Sequence, residues 1–261
     1  MSIVYISIDV EMEGDTPMLN NMLSIGMIAI TDKGDVVWKY ETGFEPLKGH
    51  EPMKEVMEFW SSPKQSEAWK KVNKLPKISV LDFFNDISRE LTGLKKKYII
   101  KFVGKPSSVD WMFFKCYYEL GKKESNGLVY GTKKAKGFNI GFKCYDTSEL
   151  FNAFKLINDI SDTNKSRAIE KELSGKQEKL AHDALYDATC QGLMYIRLLK
   201  IMKSIKPEMS IESQLIKAKQ IKLSEKSSIT GGKNSKKNIT HKKKYKMKNN
   251  RSSKLKTKKF L

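Results

Sequence analysis

Apolar and polar positions alternate along Ile3-Val4-Tyr5-Ile6-Ser7-Ile8-Asp9-Val10-Glu11, a β-rich run that predicts a strand in the middle of a sheet. Successive side chains on a strand face opposite ways, so Val4, Ile6, Ile8 and Val10 fill one layer while Asp9 and Glu11 point together into the other. A loop follows over Met12 to Pro17, marked by Gly14, Asp15 and Pro17, and then a second strand over Met22 to Ile30. Thr31-Asp32-Lys33-Gly34 turns the chain into a third strand over Asp35 to Glu41. Three strands this close predict an antiparallel meander.

From Glu51 to Val72 the period becomes helical, with Pro63 splitting it into two short helices. Val80 to Leu94 reads as an amphipathic helix with Val80, Phe83, Phe84, Ile87 and Leu91 on one face and Gly93 closing it. Tyr98 to Val103 is a strand ending at Gly104-Lys105-Pro106, and Ser108 to Leu120 a helix. Lys122 to Phe138 reads as a loop, Phe142 to Asp146 as a short strand, Thr147 to Ile160 as a helix and Lys165 to Leu173 as another. Ala184 to Met202 predicts a long helix whose apolar face carries Leu185, Ala188, Gly192, Tyr195, Leu199 and Met202. A meander followed by strand–helix alternation predicts an α/β fold, a mixed sheet covered by helices. Beyond Pro207 a weak helix is expected over Met209 to Lys219.

Composition changes the picture at the far end. The 261 residues carry a net charge of +19, and residues 221–261 hold fifteen Lys and Arg against Glu225 alone, so 14 of those charges lie there. With few apolar groups to offset chain entropy, 221–261 are expected to be a disordered Lys-rich tail, with 205–220 as a weak helix or linker after a folded body. No run of about 18 apolar residues occurs, and Met1 to Val10 lacks the pattern of a signal peptide. The expectation is therefore an intracellular protein, cytoplasmic or nuclear, without a membrane span. Cys116, Cys144 and Cys190 lack CxxC spacing and read as buried free thiols.

The chemistry lies in the acids. Asp9 and Glu11 on one strand face repel each other unless something positive sits between them, and a divalent cation is the simplest candidate. Asp110 falls where the strand over Tyr98 to Val103 gives way to a helix, near the carboxyl end of a sheet strand, where open α/β sheets place ligands. His182 and Asp187 stand at the start of the last long helix. They would not share a helical face, but with Asp183 as N-cap His182 lies outside the helix, free to fold back over the site.

Asp9-Val10-Glu11, then Asp110, then His182-Asp183-Ala184-Leu185-Tyr186-Asp187 resemble, in order and context, the three motifs of the DEDDh 3′–5′ exonucleases. That ribonuclease-H-like family includes proofreading exonucleases, RNase T and oligoribonuclease. The resemblance covers residues 1–204, read as an exonuclease domain with a ribonuclease-H-like mixed sheet. In the second motif Lys105-Pro106-Ser107-Ser108-Val109-Asp110 lacks the Asn that many members carry before the aspartate. The resemblance implies that Asp9, Glu11, Asp110 and Asp187 hold two Mg²⁺ or Mn²⁺ ions, about 3.5–4 Å apart in such sites, and that His182 takes a proton from the attacking water. It further implies single-stranded RNA or DNA as substrate and nucleoside 5′-monophosphates as products. Met12 and Trp60 are the candidates for contact with the terminal base. Some relatives pair as dimers, which adds a homodimer to the expected partners.

Each residue alone has a plainer reading. Ser107-Ser108-Val109-Asp110 fits a capping pattern, Asp183 and Asp187 are acids favoured near a helix N-terminus, His182 is a loop histidine and Trp60 a core residue. A rival function keeps the fold as a catalytically inactive nucleic-acid-binding protein. Its mark would be loss of an acid or of the histidine, and all five are present. The basic tail fits phosphate contact, an import signal, or a tether to acidic surfaces.

Overall fold

The computed structural model describes residues 1–126, 137–177 and 182–204. Among them, six strands form one sheet: β1 (Ser2–Met12), β2 (Met22–Thr31), β3 (Val36–Phe44), β4 (Lys77–Ile78), β5 (Tyr98–Gly104) and β6 (Cys144–Asp146), in the spatial order β4-β3-β2-β1-β5-β6. The first three strands make the antiparallel meander, and β5 joins β1 in parallel on its other side. The short β4 and β6 add parallel pairs to β3 and β5. The β1 strand is therefore central, as its alternation predicts.

That alternation sorts the layers. Val4, Ile6, Ile8 and Val10 join a core with Met27 of β2, Phe83, Phe84 and Ile87 of α3 (Val80–Lys95), and Phe113, Phe114 and Tyr117 of α4 (Ser107–Ser125). On the other face Tyr5 packs with Ile28, Ile30 and Val103 against Ala188, Tyr195 and Ile196 of α7 (Ala184–Ser204). The outer side of α7 packs Met194 and Leu198 on Phe151 of α5 (Thr147–Ile157), beside α6 (Thr163–Ser174). Two short helices, α1 (Lys54–Trp60) and α2 (Ser66–Lys74), joined by a 3₁₀ turn over Pro63–Gln65, follow β3.

Two glycines set how closely α7 lies on the sheet. A Cβ at Gly26 would stand 2.1 Å from the carbonyl carbon of Ala184 and 2.2 Å from the Leu185 nitrogen. One at Gly192 would stand 2.8 Å from Ser7 Cβ. An isolated glycine in a strand marks such a backbone approach. Gly26 faces Asp9 across the β1–β2 ladder, so the first turn of α7 lies level with the acids of β1.

The structure corrects several expected boundaries. Gly93 does not close α3, which runs to Lys95. Burial of Val80, Phe83, Phe84, Ile87 and Leu91 outweighs the cost of about 1 kcal/mol for one helical glycine. Lys122–Ser125, expected in a loop, continue α4, where Lys122 pairs with Glu119 and the Asn126 side chain donates to the Lys122 carbonyl. The rest of that loop, 127–136, and the expected helix and tail over 205–261 lie outside the described residues. Helix α5 stops at Ile157, before Asp159 takes a positive φ of 51°. The two residues of β4 are too short to show alternation. The buried side of α7 is broader than the face read from its sequence, since it packs on both the sheet and α5. Of the cysteines, Cys190 is buried and Cys116 and Cys144 are half-buried; all three are free.

Candidate active site

The acids converge at the carboxyl ends of the parallel pair β1 and β5. Asp9 and Glu11 project from the α7 face of β1, and Asp110 enters from the first turn of α4, just beyond the end of β5. The Lys105 amide donates to Asp110 Oδ2 at 2.9 Å, holding the carboxylate back over the strand end. Asp187 comes from the first turn of α7. Oxygens of Glu11 and Asp187 and a ring nitrogen of His182 lie within 4.8 Å of one another. The structure thus brings Asp9, Glu11, Asp110, Asp187 and His182 into one cluster.

His182 precedes α7 and adopts a φ of 63°, a left-handed conformation held by its surroundings. Its amide donates to Asp187 Oδ2 at 2.9 Å. Asp183 Oδ1 accepts the Tyr186 amide at 3.0 Å, the N-cap bond that the sequence suggests. The other oxygen of Asp183 pairs with Lys71 of α2, which also reaches Glu41 of β3 at 3.4 Å. The ring of His182 meets Phe59 edge-on at 5.0 Å and Trp60 at 6.1 Å. Helices α1 and α2 therefore brace the loop that carries the histidine.

Burial and mutual repulsion act together on the carboxyls. Burial, with the charges of Asp110, Glu11 and Asp187, raises the Asp9 pKa well above the carboxylate range. Burial and Asp187 push Glu11 to about 8, against the pull of Lys176. Burial takes Asp110 to about 7 despite the opposing amides of Lys105 and Val10. For His182, burial lowers the pKa and Lys176 lowers it further, against the pull of Asp187, which favours the neutral ring. Three buried carboxylates, Glu11, Asp110 and Asp187, with the half-buried Asp9, form a set short of positive charge that suits hard divalent cations, whose preferred ligands are oxygens. The donor set fits Mg²⁺ or Mn²⁺.

Of the two readings of Trp60, core residue and stacking face, the structure agrees with the core. Trp60 is 2% exposed, its indole N–H donates to the Met12 carbonyl at 3.1 Å, and its ring lies 5.5 Å from Trp69. It fastens α1 to the end of β1, with Met12 half-buried against the core. The neighbouring Phe59, 41% exposed, presents the aromatic surface on this side. Sequence reading also missed three polar neighbours. Gln191 donates to the Ile8 carbonyl at 2.7 Å and to Asp9 Oδ1 at 3.3 Å, Lys176 lies 2.7 Å from Asp187 Oδ1, and Lys105 pairs with Glu170. These groups line a pocket of about 130 Å³ beside Asp9 and Asp187. The one available signal was Gln191, a polar residue four positions after Asp187.

This architecture, a mixed six-stranded sheet flanked by helices, is a ribonuclease-H-like α/β fold. The structure is similar to the zinc-bound form of the Escherichia coli exonuclease I complex with single-stranded DNA, with 12% identity, a TM-score of 0.52, and 78% of this chain and 43% of that one covered. It is also similar to product-bound exonuclease I, at 12% identity and a TM-score of 0.50, over 77% of this chain and 44% of that one. The chain thus spans less than half the length of exonuclease I. The nuclease domain of 3′hExo, a DEDDh family member bound to rAMP, aligns at 11% identity and a TM-score of 0.46, over 80% of this chain and 98% of that one. No protein-family model matches the sequence, and no curated protein matches it. Among the described residues, no helix is long and apolar enough to cross a membrane.

Proposed function

We propose that the chain is a metal-dependent 3′–5′ exonuclease that hydrolyses single-stranded RNA or DNA from its 3′ end and releases nucleoside 5′-monophosphates. The observation that carries this reading is the meeting of Asp9, Glu11, Asp110 and Asp187, from three separate stretches of chain, with His182 within 4.8 Å of Glu11 and Asp187. The fold likeness to exonuclease I, whose structures hold single-stranded DNA or product, agrees with it.

In this reading Asp9, Glu11, Asp110 and Asp187 hold two Mg²⁺ or Mn²⁺ ions. Bound there, the ions would supply an activated water and offset charge growing on the phosphate and the leaving 3′ oxygen. His182 accepts the proton of the attacking water through a ring nitrogen that burial keeps neutral. The Asp187 carboxylate accepts the His182 amide and so holds the imidazole near the cluster. Phe59 offers a face to the terminal base, a contact worth about 1–3 kcal/mol in single-strand binding sites. Residues 1–204 form the catalytic body, and the fifteen basic residues of 221–261 add phosphate contacts that weaken as salt rises.

The test uses 5′-labelled single-stranded RNA and DNA of equal sequence with Mn²⁺, Mg²⁺ or EDTA, beside Asp9→Ala and Asp187→Ala. The expected result is a ladder shortening from the 3′ end, dependent on metal and absent in both folded variants. The faster ladder identifies the preferred sugar. Cleavage retained by either folded variant, or binding without shortening in both metals, would overturn the assignment.

A further inference from the structure

Lys176 occupies a place that the proposed reaction does not explain. It follows Gly175, whose positive φ of 69° ends α6, and its backbone is fixed on both sides. Arg197 Nη1 donates to the Leu173 carbonyl at 2.5 Å, and the Gln177 amide donates to the Tyr186 hydroxyl at 2.7 Å. From this anchored turn the side chain runs inward to Asp187 Oδ1. The side chain is half-buried, 41% exposed, with its ammonium 2.7 Å from that carboxylate oxygen.

The two oxygens of Asp187 are therefore divided. Oδ2 accepts the His182 amide, and Oδ1 has the Lys176 ammonium beside it in an ion pair without hydrogen-bond alignment. Lys105, the other lysine of this pocket, pairs with Glu170 outside the carboxylate cluster. Among the described residues, the ion-pair partner of Lys176 is Asp187 alone. An ammonium 2.7 Å from Oδ1 would stand about 4 Å from a divalent cation bound to the same oxygen, and at that range the two positive charges repel.

We propose that Lys176 is a built-in counter-cation of the metal-free centre, which stabilises the four carboxylates until a divalent cation displaces it from Asp187. This inference rests on the metal-centre reading above. Its consequence is a centre that stays folded without metal and binds metal less tightly than its four carboxylates would allow. Cation entry would also turn the ammonium away from Asp187 toward solvent, to which 41% of the Lys176 side chain is already open.

The experiment is calorimetric titration of Mn²⁺ into the full chain, as wild type, Lys176→Met and Lys176→Arg. Removing a like charge this close to the bound ion should tighten Mn²⁺ binding by about tenfold, or about 1.4 kcal/mol, in Lys176→Met. Lys176→Arg, which keeps the charge, should bind as wild type does. Equal or weaker binding by Lys176→Met beside a wild type that binds overturns the inference and leaves the metal centre standing. A wild type that binds no Mn²⁺ overturns the metal centre and this inference with it. A second measurement needs no variant: amine labelling of the wild type, read by mass spectrometry with and without saturating Mg²⁺. Labelling of Lys176 should rise several-fold with Mg²⁺, while that of the exposed Lys70 stays constant. An unchanged or lower Lys176 signal overturns the inference even if Lys176→Met fails to fold.

Discussion

Substituting Gly26 by alanine tests the placement of the whole centre without touching any residue in it. The added Cβ would lie 2.1 Å from the Ala184 carbonyl carbon, 2.2 Å from the Leu185 nitrogen and 2.3 Å from the Ala184 oxygen. Carbon atoms pack best at about 3.5 Å or more, so strand and helix must separate by about 1.4 Å. All three atoms are backbone, and no rotamer change relieves the overlap. Strand β2 is paired on both sides, by β1 and β3, so the displacement falls on the first turn of α7. That turn carries Asp187 and follows His182 directly, whereas a working site tolerates about 0.5 Å. A misplacement near 1 Å costs about 100-fold in rate, and overpacking of this kind costs about 1–3 kcal/mol in stability. For a body of this size the latter corresponds to a Tm lowered by roughly 2–12 °C. The assay is thermal unfolding together with single-turnover cleavage of a labelled strand. Gly93→Ala is the control, since a Cβ there meets nothing within 4 Å and alanine favours the interior of α3 by about 0.5–1 kcal/mol. Wild-type Tm and rate in Gly26→Ala would refute the close approach of α7 to β2, and with it the level at which Asp187 meets Asp9.

The carboxyl pKa values set a pH dependence of stability with a definite sign. Glu11 rises from 4.5 to about 8 and Asp110 from 3.8 to about 7, so the folded state binds these protons more tightly than the unfolded chain does. The stability they contribute is full below pH 4 and is lost as pH rises through about 7–8. In EDTA, differential scanning fluorimetry should show Tm falling between pH 5 and pH 8.5, and saturating Mn²⁺ should remove most of that fall; a Tm that holds or rises with pH in EDTA contradicts it. Lys71→Met should detach Asp183 and Glu41 and loosen the histidine loop, lowering kcat by about tenfold with a shifted pH profile and little change in KM. Lys71→Arg should restore most of that loss, and an unaltered pH–rate profile in Lys71→Met would show that the α2 contact does not position His182.

The layers and the acids were legible in the sequence because both follow from short-range periodicity. Period-two alternation places Asp9 and Glu11 on one face of β1 whatever packs there, and the capping pattern of Asp183 leaves His182 outside α7. What stayed hidden depends on contacts between distant residues. Lys71 and Asp183 are 112 positions apart, and Trp60 and Met12 are 48 apart. Nothing local says that Trp60 is spent on a backbone carbonyl while Phe59 keeps its face. Helix α7 is the instructive case. Its first turns bury Asp187, Cys190 and Gln191 beside the sheet, and its later turns bury Met194, Leu198 and Tyr195 on two sides. A reading by hydrophobicity registers the first group as breaks in the apolar face and the second as a face that wanders. Both have one cause. The helix serves as core for two layers along most of its length and as the wall of a polar pocket where it begins. Polar residues that interrupt a buried helix are costly unless something occupies them. At Gln191 the occupant is the backbone and carboxylate of β1, and at Asp187 it is the His182 amide and the Lys176 ammonium. The interruptions in the pattern therefore mark the centre as directly as the acidic motif on β1 does.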